Sequence, residues 1–210
     1  MDIKRVWAVY FSPVGGTAAA VCAAAEAAAA ELSLPVKKID FTLPAAREEV
    51  AAFEPTDLVF FAVRHVFSDT LGAGRPDAED TAQMQSFGRD CGRKAAALTE
   101  ITAPIQVSGD AAAPYYVPKG VDGQPAKFLP AKPLTDAAKC VGCGTCAAVC
   151  PVASIDPKDV ANVPGICIKC HACVRRCPTG AKYFADPAFL SHKAMLEQNF
   201  QRPAESAVFI

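Results

Sequence analysis

No stretch of this chain stays apolar for the roughly 20 residues that a bilayer-spanning helix needs, so the sequence offers no membrane insertion. An excess of either charge is also missing. Lys and Arg number 21 against 22 Asp and Glu, a formal net charge of −1, which removes the electrostatic argument for a nucleic-acid or anionic-membrane partner. The start of the chain is not read as an export leader: the apolar run after Arg5 is broken by Pro13, Gly15 and Gly16, and Glu26 follows within the Ala-rich stretch. The chain is therefore expected to be cytoplasmic, where thiols stay reduced and free for metal. Nor is the composition that of a disordered chain, with 51% hydrophobic and 20% charged residues.

What the sequence does have is cysteine. Eight of its ten cysteines form two runs of C-x2-C-x2-C-x3-C-P, offset by 27 residues. The first is Cys140, Cys143, Cys146, Cys150 and Pro151; the second is Cys167, Cys170, Cys173, Cys177 and Pro178. Bacterial iron–sulfur proteins use this spacing to hold cubane clusters, three close thiolates taking three corners and the distant fourth cysteine reaching the other cluster. The spacing thus predicts two [4Fe–4S] clusters, one on Cys140, Cys143, Cys146 and Cys177, the other on Cys167, Cys170, Cys173 and Cys150. Zinc sites favour separated C-x2-C pairs, which these runs are not. His171 lies between Cys170 and Cys173, but cysteines already fill every corner, so it is expected on the surface or beside the site rather than as a ligand. Cys22 and Cys91 fall in helical stretches and read as inert buried thiols. Gly142 and Gly144 allow close backbone approach to the cluster sulfides. Six basic residues stand among four acidic ones between Asp136 and Asp186, Lys182 among them. They either offset the clusters' negative charge or form a plain solvated face.

Composition divides the chain at about Ala103. Before it, strands at Ile3–Phe11, Pro35–Phe41 and Asp57–Val66 alternate with helices at Thr17–Leu32, Ala45–Phe53 and from an N-cap at Asp77 to about Leu98, the pattern of a parallel sheet with helices. Prolines and glycines then exclude regular structure through Pro133, giving a linker that Tyr115, Tyr116 and Phe128 could tie down. The resulting divisions are 1–102, a linker 103–134, a small α+β cluster module 135–186, and a C-terminal helix and tail 187–210. The apolar tail Val208-Phe209-Ile210 is expected to pack back on the protein.

Between the first strand and helix lies Ser12-Pro13-Val14-Gly15-Gly16-Thr17, where hydroxyls and backbone N–H groups favour an anion. Ser12, Gly15, Gly16 and Thr17 match the flavin-phosphate loop F-S-P-T-G-G-T of flavodoxins, with Val14 in place of a threonine. Taken with Arg64-His65-Val66-Phe67, Ala73-Gly74-Arg75-Pro76-Asp77, Pro114-Tyr115 and the cysteine runs, the chain resembles the flavodoxin–ferredoxin fusion family. That resemblance implies α/β architecture, electron transfer through two four-iron clusters, and FMN in the N-terminal half. Three strands precede the linker where a flavodoxin-like sheet has five, as if its middle had been deleted. The walls for a flavin ring are then missing, and flavin binding is expected to be weak or absent. An apolar edge along Leu58, Phe60 and Ala62 is expected to be exposed and available for association. The leading expectation is a low-potential single-electron carrier with unnamed redox protein donor and acceptor. The alternatives are an iron–sulfur flavoprotein oxidoreductase, with His65 its proton donor, and an electron-transfer subunit of a larger complex.

Overall fold

A computed structural model describes residues 2–48, 51–63, 74–100, 103–104, 109–110 and 112–201. Arg64-His65-Val66-Phe67, the end of the third expected strand and the Val208-Phe209-Ile210 tail lie outside the described residues. The remainder falls into two compact units, one drawn from 2–63 and 74–110, the other from 112–201.

In the first unit, β1 (Arg5–Phe11), β2 (Val36–Asp40) and β3 (Asp57–Val63) form a parallel sheet in the order β2-β1-β3. Register pairs Val6 with Val36 on one side and with Leu58 on the other. At the start of the sheet, Arg5 opposes Asp57 and donates two hydrogen bonds to its carboxylate, at 2.6 and 2.8 Å. Helix α1 (Gly16–Leu32) is almost pure helix former; it stops where Ser33 turns left-handed and its N–H meets the carbonyls of Ala29 and Ala30. Helix α2 (Ala78–Ala97) begins with a reciprocal cap, in which Asp77 accepts from Asp80 N–H at 2.9 Å and Asp80 accepts from Asp77 N–H at 3.0 Å.

Val6, Ala8 and Phe60 pack with Val21, Ala24, Ala25, Ala28 and Ala29 of α1, and Met84, Phe87 and Cys91 of α2 join them. The two helices meet backbone to backbone: a Cβ added at Gly88 would stand 2.0 Å from the Ala24 carbonyl oxygen, and one at Gly92 would stand 2.8 Å from that of Ala28. Cys22 and Cys91 are half-buried, and burial raises both thiols above their ordinary range.

Two local expectations are corrected here. Among the described residues, the stretch expected as a helix over Ala45–Phe53 shows a 3-10 turn, Pro44–Arg47. None of that turn is buried, so little tertiary packing offsets the cost of nucleating a short helix. The side chains expected to make an exposed apolar edge face the helices instead. Phe60 is buried edge-on against Phe87, and Leu58 and Ala62 border the same core. The exposed apolar group on β3 is Phe61, 62% accessible and stacked on Phe41 across the other face. Among the described residues β3 has no strand beyond it.

The second unit has little regular structure. It contains β4 (Leu134–Thr135) paired antiparallel with β5 (Lys182–Tyr183), single-turn helices α3 (Thr145–Ala148) and α4 (Ala172–Arg175), and α5 (Pro187–Asn199) capped by Asp186. Residues 112–133 pack with this unit. Phe128 sits 5.5 Å from Phe189 and stacks on His192 at 5.2 Å, and His192 Nδ1 lies 2.8 Å from the Lys119 carbonyl. Tyr116 approaches His192 at 6.3 Å, but Tyr115 is 94% exposed and ties down nothing. No helix among the described residues is long and apolar enough to cross a membrane.

Candidate metal centre

Each cysteine run builds the same backbone. The first turns left-handed at Gly142, Gly144 and Ala153; the second does so at Lys169, His171 and Gly180, the equivalent positions. Only two of these positions in the first run and one in the second are glycine, so the conformation belongs to the loop and is imposed on residues that disfavour it. The hydrogen bonds repeat too. Ser154 N–H donates to Cys150 Sγ and Ala181 N–H donates to Cys177 Sγ, both at 3.2 Å. In the second run Lys169 N–H also donates to Cys167 Sγ at 3.4 Å. Such N–H groups stabilise negative charge on a thiolate.

Two cavities result. The lining of one includes Cys140, Cys143, Cys146 and Cys177. The lining of the other includes Cys150, Cys167, Cys170 and Cys173. Each therefore takes three cysteines from one run and the fourth from the other. Cys146 and Cys173 share a small apolar core with Ile155, and Val160, Val163 and Val174 pack around it. Among the described residues no three or more His, Cys, Asp or Glu side chains are placed to hold a single metal ion. Four sulfurs spread around a cavity suit a larger, polynuclear group, and a donor set of this kind fits a [4Fe–4S] cluster.

The linings differ. Thr135, Thr145, Thr179 and Lys182 border the first cavity, whereas Ile155, Val152, Val163, Ile168 and Phe184 border the second. The thiols respond accordingly. The Thr145 hydroxyl, 3.3 Å from Cys143 Sγ, lowers that exposed thiol below its ordinary range. Burial raises Cys177, but the Thr179 hydroxyl and the backbone N–H groups of Thr179, Lys182 and Ala181 outweigh it and bring the thiol to about 7. Burial dominates at four others: it raises Cys146, Cys167 and Cys170, and it pushes Cys173 up to about 12.

His171 is not at the surface. It is 5% exposed, stacked on Phe184 at 4.8 Å, and lines the second cavity. Reading the motif missed Lys182, Thr145 and Thr179 as parts of the site. Aligning the two runs on each other would have found them, because the equivalent residues are Ile155, Ala172 and Val152.

The loop between β1 and α1 is arranged differently. Gly15 turns left-handed at φ 94°, but the Ser12 hydroxyl already accepts from Ala18 N–H at 2.9 Å, and Thr17 is buried. Gly16 faces the Arg75 carbonyl and the Pro76 ring, since an added Cβ would meet them at 3.5 and 3.4 Å. The Arg75 guanidinium is paired with Asp77 and Asp80. The residues suggested for a flavin phosphate are together in this loop; Thr17 is buried, and Ser12, Gly15 and Gly16 are half-buried.

Residues 139–181 match the family model described as a 4Fe-4S dicluster domain. No curated protein and no solved structure matches the chain. This part of the molecule is an iron–sulfur region that binds at least one [4Fe–4S] cluster and serves electron transfer.

Proposed function

We propose that the chain is a carrier of single electrons holding two [4Fe–4S] clusters, one in each cysteine-lined cavity. The observation that carries this reading is the division of eight cysteines into two sets of four around separate spaces. A bound [4Fe–4S] cluster supplies one-electron redox chemistry at low potential. The chain's own residues hold it through thiolates, aim N–H groups from Ser154, Lys169 and Ala181 at the sulfurs, and surround it with protein. Cytoplasmic residence, where thiols remain reduced, belongs to the same reading.

The first unit is read as a shortened flavodoxin-like domain that docks the carrier or is vestigial. Its order β2-β1-β3 is the order in which a flavodoxin-like sheet begins, which supports that reading. FMN binding is weak or absent on this reading, because among the described residues the sheet has three strands where a flavodoxin-like sheet has five, and the walls for a flavin ring are missing with the others. The partners are redox proteins, and the unpaired edge of β3 is the place for association with another chain. The test is anaerobic reconstitution with iron, sulfide and flavin counted on one sample. About eight irons and no flavin are expected. About four irons would remove the second cluster, and stoichiometric flavin would revive the oxidoreductase reading.

A further inference from the structure

The offset between the two runs pairs Ile155 with Lys182. Both are interior, at 4% and 2% exposure. An aliphatic residue there is ordinary; a lysine is not. Lys182 borders the cavity of Cys140, Cys143, Cys146 and Cys177, and its Nζ donates to the Val160 carbonyl. Among the described residues, no carboxylate pairs with it. A buried ammonium held by a carbonyl alone is costly, and such groups persist where a counter-charge stands nearby. Lys182 lines the cavity itself, so its charge stands beside the four sulfurs of Cys140, Cys143, Cys146 and Cys177.

We propose that Lys182 is the built-in counter-ion of the cluster held by Cys140, Cys143, Cys146 and Cys177 and that its fixed positive charge favours the reduced state. The proposal rests on the two-cluster reading above. Reduction by a one-electron donor such as dithionite removes one electron from the donor and adds one negative charge beside the ammonium. No bond is made or broken at Lys182. A neutral side chain at this position leaves the added charge less compensated in a buried site, so reduction becomes harder. Lys182 is thus a positioning residue acting through charge, not a ligand.

The test uses the full chain with Lys182→Ile, which makes the repeat symmetric, Lys182→Gln, which keeps a donor for Val160, and Lys182→Arg, which keeps the charge. Each is reconstituted anaerobically, its iron counted, and its potential titrated while the visible absorbance and the paramagnetic signal of the reduced protein are followed. The neutral variants should show about a tenfold smaller equilibrium constant for reduction, a midpoint about 59 mV more negative for one electron. Lys182→Arg should stay near the wild type. Failure of both neutral variants to load iron while Lys182→Arg loads fully also supports the proposal. Full iron with an unchanged midpoint in a neutral variant overturns it. So does loss of iron in Lys182→Arg alongside the neutral variants, which would mark a packing role. Wild-type protein with about four irons would remove the cluster pair, and this proposal with it, before any variant is titrated.

Discussion

The two units of this molecule are ordered by different means. The first has three parallel strands, two long helices and a core of Val, Ala and Phe that needs nothing but its own side chains. The second has two-residue strands, two four-residue helices beside the cavities, the longer α5, and a small core that includes two cysteines of the cavities. One unit is ordered by strand pairing and helix packing; around the cavities of the other, the cysteine-bearing loops are most of the structure.

That contrast predicts opposite responses to metal. Removing iron with a chelator should cost the second unit its ordered structure, since cluster binding there is folding free energy, while the first stays folded. Amide hydrogen exchange on the loaded and stripped protein would report it: protection should vanish across 134–183 and persist in α1 and α2. Equal protection across 134–183 in the two states would break the comparison.

The reverse perturbation is Gly88→Ala. A methyl group 2.0 Å from the Ala24 carbonyl forces α1 and α2 apart, a change of the overpacking kind that costs about 1–3 kcal/mol. The thermal midpoint of the first unit should fall with the iron count unchanged. A loss of iron in this variant would mean that the units are not independent.

Acid should separate the units more gently. The Arg5 guanidinium hydrogen-bonded to Asp57 lowers that carboxyl, and the Asp80 backbone N–H does the same for Asp77. Groups lowered in the folded state stabilise it above their ordinary value of 3.8 and lose that contribution as pH falls below it. The first unit should therefore melt at a constant temperature above this range and progressively lower within it. Protons compete with iron for the ligand thiolates, which are weaker acids than these carboxylates, so the iron–sulfur chromophore should fade at higher pH than the helix signal. Simultaneous loss of chromophore and helix would contradict this order.

Much of the fold was legible because local chemistry and tertiary structure agree. Periodicity and caps placed α1 and α2 to within a residue or two, and the strands nearly as well. The stretch after Pro44 was misread because helix propensity says nothing about whether a face will be covered, and none of that turn is. The same ignorance of burial put Phe60 outside and left His171 open between the surface and the side of the site, where it lies buried. The iron–sulfur character was readable because the cysteine spacing is the one that holds [4Fe–4S] clusters. Lys182 was not, since a lysine in a list of charges looks solvated until its repeat partner, Ile155, is set beside it.

The central claim is that two clusters are held on cysteines crossed between the runs, and one variant tests it most directly. Cys143→Ser with Cys177→Ser removes two ligands that line the same cavity but lie in different runs. If the ligands are crossed, both losses fall on one cluster, and anaerobically reconstituted protein should keep about four of its eight irons. If each run holds its own cluster, both clusters are damaged, and iron near zero would contradict the account.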